Sequence, residues 1–546
     1  MSFTLKINGE SRIFDKPIKL KDINNNKDFI ACLVNGRIRE LDYDIHYDAD
    51  VSFLTMKDSR AVAIYERGVR FILAMAQQRI YPNIKFKFNY NISRGIFAQV
   101  AKGEMQITSK IVENLEKEMK KIIDADYPFV RKIISNEEAI ELYKSKDLTD
   151  KLEIIKYRPE KTVHLYDCDG YFNYMFGKMV PSTGYIKDFK LIYYPPGILL
   201  QYPRSEYDGK IPPFKDEPVF SSTLQGSNSW SEIVGLSDVG SINNLNLLHN
   251  SNTLVNICEN RHNRMLVELG DKIQNNIKEI KLICIAGPSS SGKTTFADRL
   301  THELLSRGIH PIRISLDDYY KRGDNIPKDE NGENDYETLE ALEINLLNQN
   351  LISLLSGEEV TLPTFSKKTG KTSFSRTEKI NKDDPIIIEG IHALNENLTP
   401  LLPKNIKYKI YISPQAQINL DYENPVSLSD IRLIRRIVRD YKHYSSSVES
   451  TLAMWPSVRR GEFKWIYKTQ EDADFVFDSF LNYEFGVMKK YALPILKKVD
   501  LDGPYGADAQ RLINFLKYFT DVNEKVIPCS SILREFIGGS SYRENE

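Results

Sequence analysis

The residues best suited to chemistry form one run, Gly287, Pro288, Ser289, Ser290, Ser291, Gly292, Lys293, Thr294 and Thr295. The run fits G-x-x-x-x-G-K-[ST] and stands between an apolar stretch, KLICIA, and an amphipathic one, TTFADRLTHELLSRG. Small side chains let the backbone N–H groups of such a loop turn inward around phosphate oxygens. The helix that starts near Lys293 adds the positive end of its dipole. Lys293 then reaches the β- and γ-phosphates, and the Thr294 hydroxyl ligates Mg²⁺.

Further groups complete such a site. Asp317 and Asp318 follow the apolar run IRISL. In a parallel sheet the strand C-termini share one edge, where ligands sit. A carboxylate there can take the proton of an attacking hydroxyl, or it can serve as a helix N-cap or Asx turn. Glu389 ends the run PIIIE, where it suits a carboxylate that holds Mg²⁺ directly or through water, or one that caps a helix. In DIRLIRRIVRD, Arg432, Arg435, Arg436 and Arg439 recur at helical spacing, while Ile431, Ile434 and Val438 take another face. Such guanidinium groups suit a lid that closes over phosphates, or a solvated basic face.

These residues need a frame. Beyond residue 276 the runs KLICIA, IRISL, PIIIE and KIYI alternate with amphipathic segments, which implies an α/β unit with a mainly parallel sheet. Residues 1–57 read as a small β-rich module, with alternation in SFTLKING and DVSFLTMKD and tight turns at Asn8-Gly9 and Asn35-Gly36. Residues 60–81 switch to helical period, with Val69, Ile72, Leu73, Ala76 and Ile80 on one stripe and Pro82 as a stop. Glu113–Asp126 reads as a charged helix, and 157–201 as aromatic and strand-like. Residues 203–240 are rich in Pro, Ser, Asp and Gly and mark a boundary. Helical spacing returns at Leu245, Leu248, Leu254, Ile257, Met265 and Leu266, as in a connector helix or pair.

Composition bounds the whole. The 546 residues carry 74 Lys plus Arg against 75 Asp plus Glu, a net charge of −1, so any pull toward nucleic acid or membrane must come from a local patch. The length argues for three or four domains of about 100–200 residues each. Cys32, Cys168, Cys258, Cys284 and Cys529 are scattered without a C-x-x-C pair, which disfavours a disulfide scaffold and a zinc ribbon. MSFTLKINGE is too polar for a signal peptide, and the uncharged stretch Val239–Cys258 is too rich in Asn, Ser and His to span a bilayer. A cytoplasmic protein is expected.

At GPSSSGKTTF, SLDDYY, EGIHALN, and RLIRRIVRD followed by VRRGEFKWI, the chain resembles the uridine kinase branch of the phosphoribulokinase/uridine kinase family over residues 276–500. That resemblance implies ATP-dependent, Mg²⁺-assisted phosphorylation of a nucleoside 5′-hydroxyl, of uridine or cytidine. It gives Asp317 the role of general base. It puts Tyr320 and the acids of DYETLEAL, Asp335 and Glu337, at the acceptor's sugar. It sets LPTFSKKTGK near the base, with Phe365 as a stacking face, and assigns the arginine helix to a lid over ATP.

Residues 1–57 resemble the TGS domain at the start of threonyl-tRNA synthetases, a β-grasp module. Residues 58–205 resemble the α+β second additional (editing) domain of those enzymes, notably at VPSTGYIKDFKL. The organisation expected is thus TGS-like 1–57, editing-like 58–205, connector 206–275, kinase-like 276–500, and a tail, 501–546, that packs on the kinase.

The departures carry information. The editing domain's H-x-x-x-H positions are Arg67 and Phe71 here, and its later pair is Met175 and Met179. Arg cannot serve as a ligand and Phe has no donor atom, so hydrolysis of mischarged tRNA is not expected. His164 and Cys168 form only a lone i,i+4 pair on a strand. The front half is expected to pack on the kinase, bind RNA or sense a ligand. Tyr444 and Ser445 stand where the kinase family usually has Arg-Gly, and Ser366 and Thr372 alter the base-side segment. Two rivals to the nucleoside kinase follow. One is a kinase of another small hydroxyl compound. The other is an ATP-gated binding protein touching tRNA or ribosome, through clusters such as Lys117–Lys121. The sequence defines no oligomeric state.

Overall fold

The computed structural model describes residues 2–542 apart from 8, 25, 330, 331, 333, 367, 368, 416 and 417. Asn8 of the first expected turn and Lys367 and Lys368 of the base-side segment lie outside the described residues.

Five short strands, Ile312–Ser315, Ile386–Glu389, Leu282–Ala286, Lys407–Ser413 and Phe475–Asp478, lie side by side in that order, all parallel. The runs LICIA and IIIE are apolar without alternation because both faces of this sheet are covered. Ile283, Ile285 and Ile387 enter one core, with Phe296 and Leu300 of the helix Lys293–Leu305 and Ile431 and Ile434 of the helix Leu428–Tyr444. Their neighbours Leu282, Cys284, Ile386 and Ile388 enter a second core, with Leu347 and Leu351 of the helix Ile344–Leu355.

The N-terminal module is a five-stranded sheet, in the order Glu10–Phe14, Phe3–Ile7, Ala49–Leu54, Ala31–Val34, Arg37–Arg39, with Phe3–Ile7 parallel to Ala49–Leu54. The helix Ser59–Ile80 follows, opened by Asp58, whose side chain accepts the Arg60 N–H at 2.8 Å. Its expected single stripe becomes burial on nearly all sides, because it lies between this module and the sheet of Lys85–Ile92, Gly95–Lys102, Gly197–Gln201 and Lys190–Tyr194.

That second sheet binds the two halves together. Phe86, Phe88, Ile96, Ala98, Ile198 and Leu200 face the N-terminal core. Tyr90, Ile92, Phe97 and Leu199 lie in the same core as the parallel sheet's Leu282 and Ile388. Strand alternation sends neighbours to opposite faces, and a register shift between Phe88 and Asn91 switches the side on which Tyr90 and Ile92 fall. The edge strand Lys85–Ile92 is itself covered. The Phe88 N–H donates to the Tyr422 carbonyl at 2.8 Å, and Asn419 Nδ2 donates to the Phe88 carbonyl at 2.7 Å.

The long helix Val239–Asn275 kinks at Asn250, whose φ is 60°. The kink breaks the helical phase of the expected stripe: Leu254 is fully buried while Leu248 is 78% exposed. Downstream, Leu512, Phe515, Ile532, Leu533, Phe536 and Ile537 enter the same core as the helix Leu428–Tyr444. Among the described residues no helix is long and apolar enough to cross a membrane.

A buried charge cluster pins the seam. Lys151 donates to Glu423 at 2.8 Å and lies 3.2 Å from Asp421. Asp150 accepts the Tyr422 N–H at 2.9 Å. Burial opposes the charge on Lys151, but Asp421, Glu423 and Asp150 outweigh it. Burial pushes the Asp150 carboxyl up to about 7 in spite of Lys151. Lys151→Ala strands three carboxylates whose ligand atoms lie within 4.8 Å of one another. The expected loss is about 3–5 kcal/mol of stability. It should be largest near pH 8 and shrink toward pH 5 as the carboxyls take up protons, and denaturant midpoints across that range measure it.

Candidate active site

The phosphate loop joins the central strand Leu282–Ala286 to the helix Lys293–Leu305. A Cβ on Gly287 would collide with the Ile412 carbonyl oxygen, so only glycine lets the loop pass this close to the neighbouring strand. Gly292 has φ 90°, in the region that favours glycine. The outer side of the loop is tied down. Arg432 Nη1 donates to the Ser289 carbonyl at 3.3 Å, Arg435 Nη1 to the Ser290 and Ser291 carbonyls at 3.4 Å each, and Ser479 Oγ to the Ser291 carbonyl at 2.6 Å. C=O and N–H of one peptide point opposite ways, so these anchors aim the Ser290 and Gly292 N–H groups at the inner side. The Ser290 and Ser291 hydroxyls are buried without a hydrogen-bond partner. Lys293 Nζ folds back on the Gly287 and Pro288 carbonyls at 2.9 and 3.0 Å. Burial pulls the Lys293 pKa down, while Glu389, Asp317 and Glu535 favour its charge.

Glu389, 4% exposed, ends the strand beside the loop. It accepts from Ser315 Oγ at 3.0 Å, Arg313 Nη2 at 3.3 Å and Thr294 Oγ1 at 3.5 Å. The Thr294 hydroxyl and the Glu389 carboxylate thus meet at one spot, and both offer the oxygen donors that a hard cation takes.

The two adjacent acids separate here. Asp318 accepts the Phe365 N–H at 2.8 Å and so joins the strand end to the hairpin of Val360–Ser366 and Lys371–Glu378; burial pushes its carboxyl up. Asp317 is exposed at the C-terminal edge of the sheet, and its charge acts on Lys293 and on the Tyr320 hydroxyl. Burial raises the Tyr320 pKa, and the charges of Asp317, Glu337 and Asp335 all act in the same direction. Glu337 packs on the backbone of Gly461, leaving no room for a Cβ there, and its own carbonyl meets His392 Nε2 at 2.9 Å. Burial pushes the Glu337 carboxyl up to about 7; Glu462 adds to the rise, and Arg436 and Lys293 oppose it. Asp335 accepts the Glu337 N–H at 3.0 Å and so shapes its own turn.

Two expectations need correction. Arg432 and Arg435 do not belong to a mobile lid. Arg432 pairs with Glu462, and Arg435, fully buried, pairs with Glu484 at 2.6 Å. They face inward because the helix that carries them is part of the core. Arg436 and Arg439 are the partly exposed pair: Arg436 Nη1 reaches Ser289 Oγ at 3.1 Å, and Arg439 donates to Asp440 at 2.8 Å. Second, the Phe365 ring is covered by the Arg322 guanidinium, 3.5 Å from its centroid, so that face is taken.

The front half has its own answer. Arg67 Nη1 donates to the Lys178 carbonyl at 3.2 Å. Phe71 meets Phe129 and Tyr171 edge-on, each at 5.0 Å, beside the buried Met175 and Met179. Phe71, Phe129, Met175 and Met179 pack together in the N-terminal core. His164 Nδ1 meets Arg131, and four residues along a strand set Cys168 about 13 Å away, too far to share an ion.

Sequence reasoning missed Arg313, Ser315, Glu462 and Glu535. Arg313 was detectable as a charge inside the alternating run IRIS; Glu462 and Glu535 come from distant segments and gave no local signal.

A five-stranded parallel sheet with a glycine-serine loop, a lysine and an acidic strand end defines a P-loop phosphate-binding domain. Residues 282–484 match the model of the Phosphoribulokinase / Uridine kinase family. The N-terminal half matches threonine–tRNA ligases. The ligase of Desulforamulus reducens is 34% identical over 167 residues, which are 30% of this chain and 26% of the ligase. Threonine–tRNA ligase 1 of Bacillus subtilis is 36% identical over the same length and shares. The chain therefore spans about a quarter of the length of these relatives. A solved structure described as a "Possible Uridine Kinase" from Bacillus stearothermophilus is 22% identical, with a TM-score of 0.23, over 39% of this chain and 100% of that one.

The Glu337 carboxyl provides a check on the site. Its pKa is raised, so its contribution to stability is present below the ordinary value of 4.5 and is lost as pH rises through about 7. Glu337→Gln should melt a few degrees above the wild type at pH 8 and close to it at pH 4.5, read by thermal unfolding.

Proposed function

We propose that the protein is a Mg²⁺-dependent kinase that passes the γ-phosphoryl group of ATP to the hydroxyl of a small acceptor, a nucleoside such as uridine or cytidine. One observation carries the reading. Asp317 stands exposed at the strand edge with its charge acting on Lys293, while its neighbour Asp318 is committed to the hairpin. The match to the Phosphoribulokinase / Uridine kinase family over the same region supports it.

The loop amides and Lys293 hold the phosphates, and Thr294 and Glu389 are the residues that would hold Mg²⁺. The ion supplies charge neutralisation on the phosphate oxygens. Asp317 receives the proton of the acceptor hydroxyl as it attacks the γ-phosphorus in line. Arg436 and Arg439 add positive charge beside Ser289. The charges of Asp317, Asp335 and Glu337 all act on the Tyr320 hydroxyl, and Tyr320, Asp335 and Glu337 are polar groups that suit the hydroxyls of a sugar.

The Arg322 cover on Phe365 favours a second acceptor class. A ring already stacked by a guanidinium offers less to a pyrimidine, and Arg322 suits an acceptor that carries an anion, such as a sugar phosphate. For the front half, the core shared with the kinase sheet supports a structural role over RNA contact.

Asp317→Asn should lower turnover by about 10²–10⁴ and leave ATP affinity within a factor of about two. Transfer from γ-labelled ATP to uridine, cytidine, other nucleosides and sugar phosphates measures the first, and calorimetry the second. Wild-type turnover in that variant would remove Asp317 from the mechanism.

A further inference from the structure

One carboxylate in the phosphate site has no part in the transfer reaction. The first amides of a helix have no partner inside it, and in a phosphate loop they are donors for the triphosphate. Here the Thr295 N–H is already engaged: it donates to Glu535 Oε2 at 3.1 Å. Glu535 lies 240 residues further along the chain, and its charge also acts on Lys293 and Arg439. A side chain of this protein therefore occupies a helix donor that a nucleotide would need, and its charge reaches two cations beside it.

The segment that carries it is firmly seated. Ile532, Leu533, Phe536 and Ile537 are buried, and a Cβ on Gly292 would run into the Ile532 methyl. Ser531 Oγ donates to Glu259 at 2.6 Å, Arg534 Nη2 to the Ile527 carbonyl at 2.8 Å, and Lys442 of the arginine helix to the Ile537 carbonyl. Phe536 lies under the Arg435 guanidinium at 5.1 Å. Glu535 itself is only partly buried, so a rotamer change can withdraw its carboxylate without unseating its neighbours.

We propose that Glu535 is a built-in competitor of the nucleotide: its carboxylate fills the seat of a phosphate at the Thr295 N–H, and the triphosphate binds by displacing it. The inference rests on the phosphate-binding reading of the loop. Two anions cannot share one N–H donor, and their mutual repulsion adds to the exclusion. In the nucleotide-free chain the carboxylate balances Lys293 and Arg439. It lowers the apparent affinity by the fraction of molecules whose seat is open.

The test uses the full chain and the Mg²⁺ complex of a non-hydrolysable ATP analogue, titrated by calorimetry. Glu535→Ala should bind it about three- to tenfold more tightly than the wild type. Glu535→Gln, which keeps the shape without the charge, should shift the same way. Both should keep the wild-type melting point within a few degrees. Lys293→Ala should abolish binding with or without the Glu535 change. Equal affinity in wild type and both Glu535 variants, or weaker binding in the variants, overturns the competitor and leaves the loop's reading intact. No binding in the wild type or in either Glu535 variant overturns the loop's reading, and the competitor falls with it.

Discussion

The carbonyl groups of Ser289, Ser290 and Ser291 point out of the phosphate loop into the guanidinium groups of Arg432 and Arg435. Everything proposed for the site depends on that outward pull, because it is what leaves amides for the inner side. The arrangement is expensive. Two arginines and the acids Glu462 and Glu484 are taken out of water, and desolvation of such ions costs several kcal/mol each. The cost is tolerated because the network is satisfied. Arg435 finds six acceptor atoms, and Glu462 accepts from Arg432, Arg459 and Tyr467. A buried network of this kind holds one geometry, since each broken bond would leave a charge or a carbonyl stranded.

The same network explains how the front half meets the phosphate-binding domain. The hairpin tip between Lys85–Ile92 and Gly95–Lys102 places Arg94 over the rings of Phe463 and Tyr467, at 4.2 and 4.8 Å. Phe463 adjoins Glu462 in the chain, and the Tyr467 hydroxyl donates to Glu462 at 3.2 Å. A residue of the segment related to tRNA ligases therefore packs directly on the groups that brace the phosphate loop. With the shared apolar core and the Lys151 cluster, this makes the front half part of the phosphate-binding domain's own support. The edge-on packing of Phe71 on Phe129 and Tyr171 agrees with that role.

Local pattern made much of this legible. The loop motif, the apolar strands, the helix from Ser59 to its stop before Pro82, and the parallel order they imply all follow from short-range chemistry. Small residues, a fixed spacing and a hydrophobic run are visible without a neighbour. What failed did so where a backbone kink or a distant partner decided the outcome. Leu248 shared a helical stripe with Leu254 until the backbone turned at Asn250. Arg432 and Arg435 had the spacing of a lid, and the acids that bury them, Glu462 and Glu484, lie 30 and 49 residues away.

The sequence alone therefore determined that a phosphate loop sits between a buried strand and a helix, with acids at two further strand ends. Those signals are local because they reflect backbone conformation and burial, which a few consecutive residues control. Only the tertiary structure decided which of Asp317 and Asp318 stays exposed, which arginines brace the loop, and that Glu535 reaches the Thr295 amide. Each of these depends on where a remote segment places a charge, and charges act through space rather than along the chain.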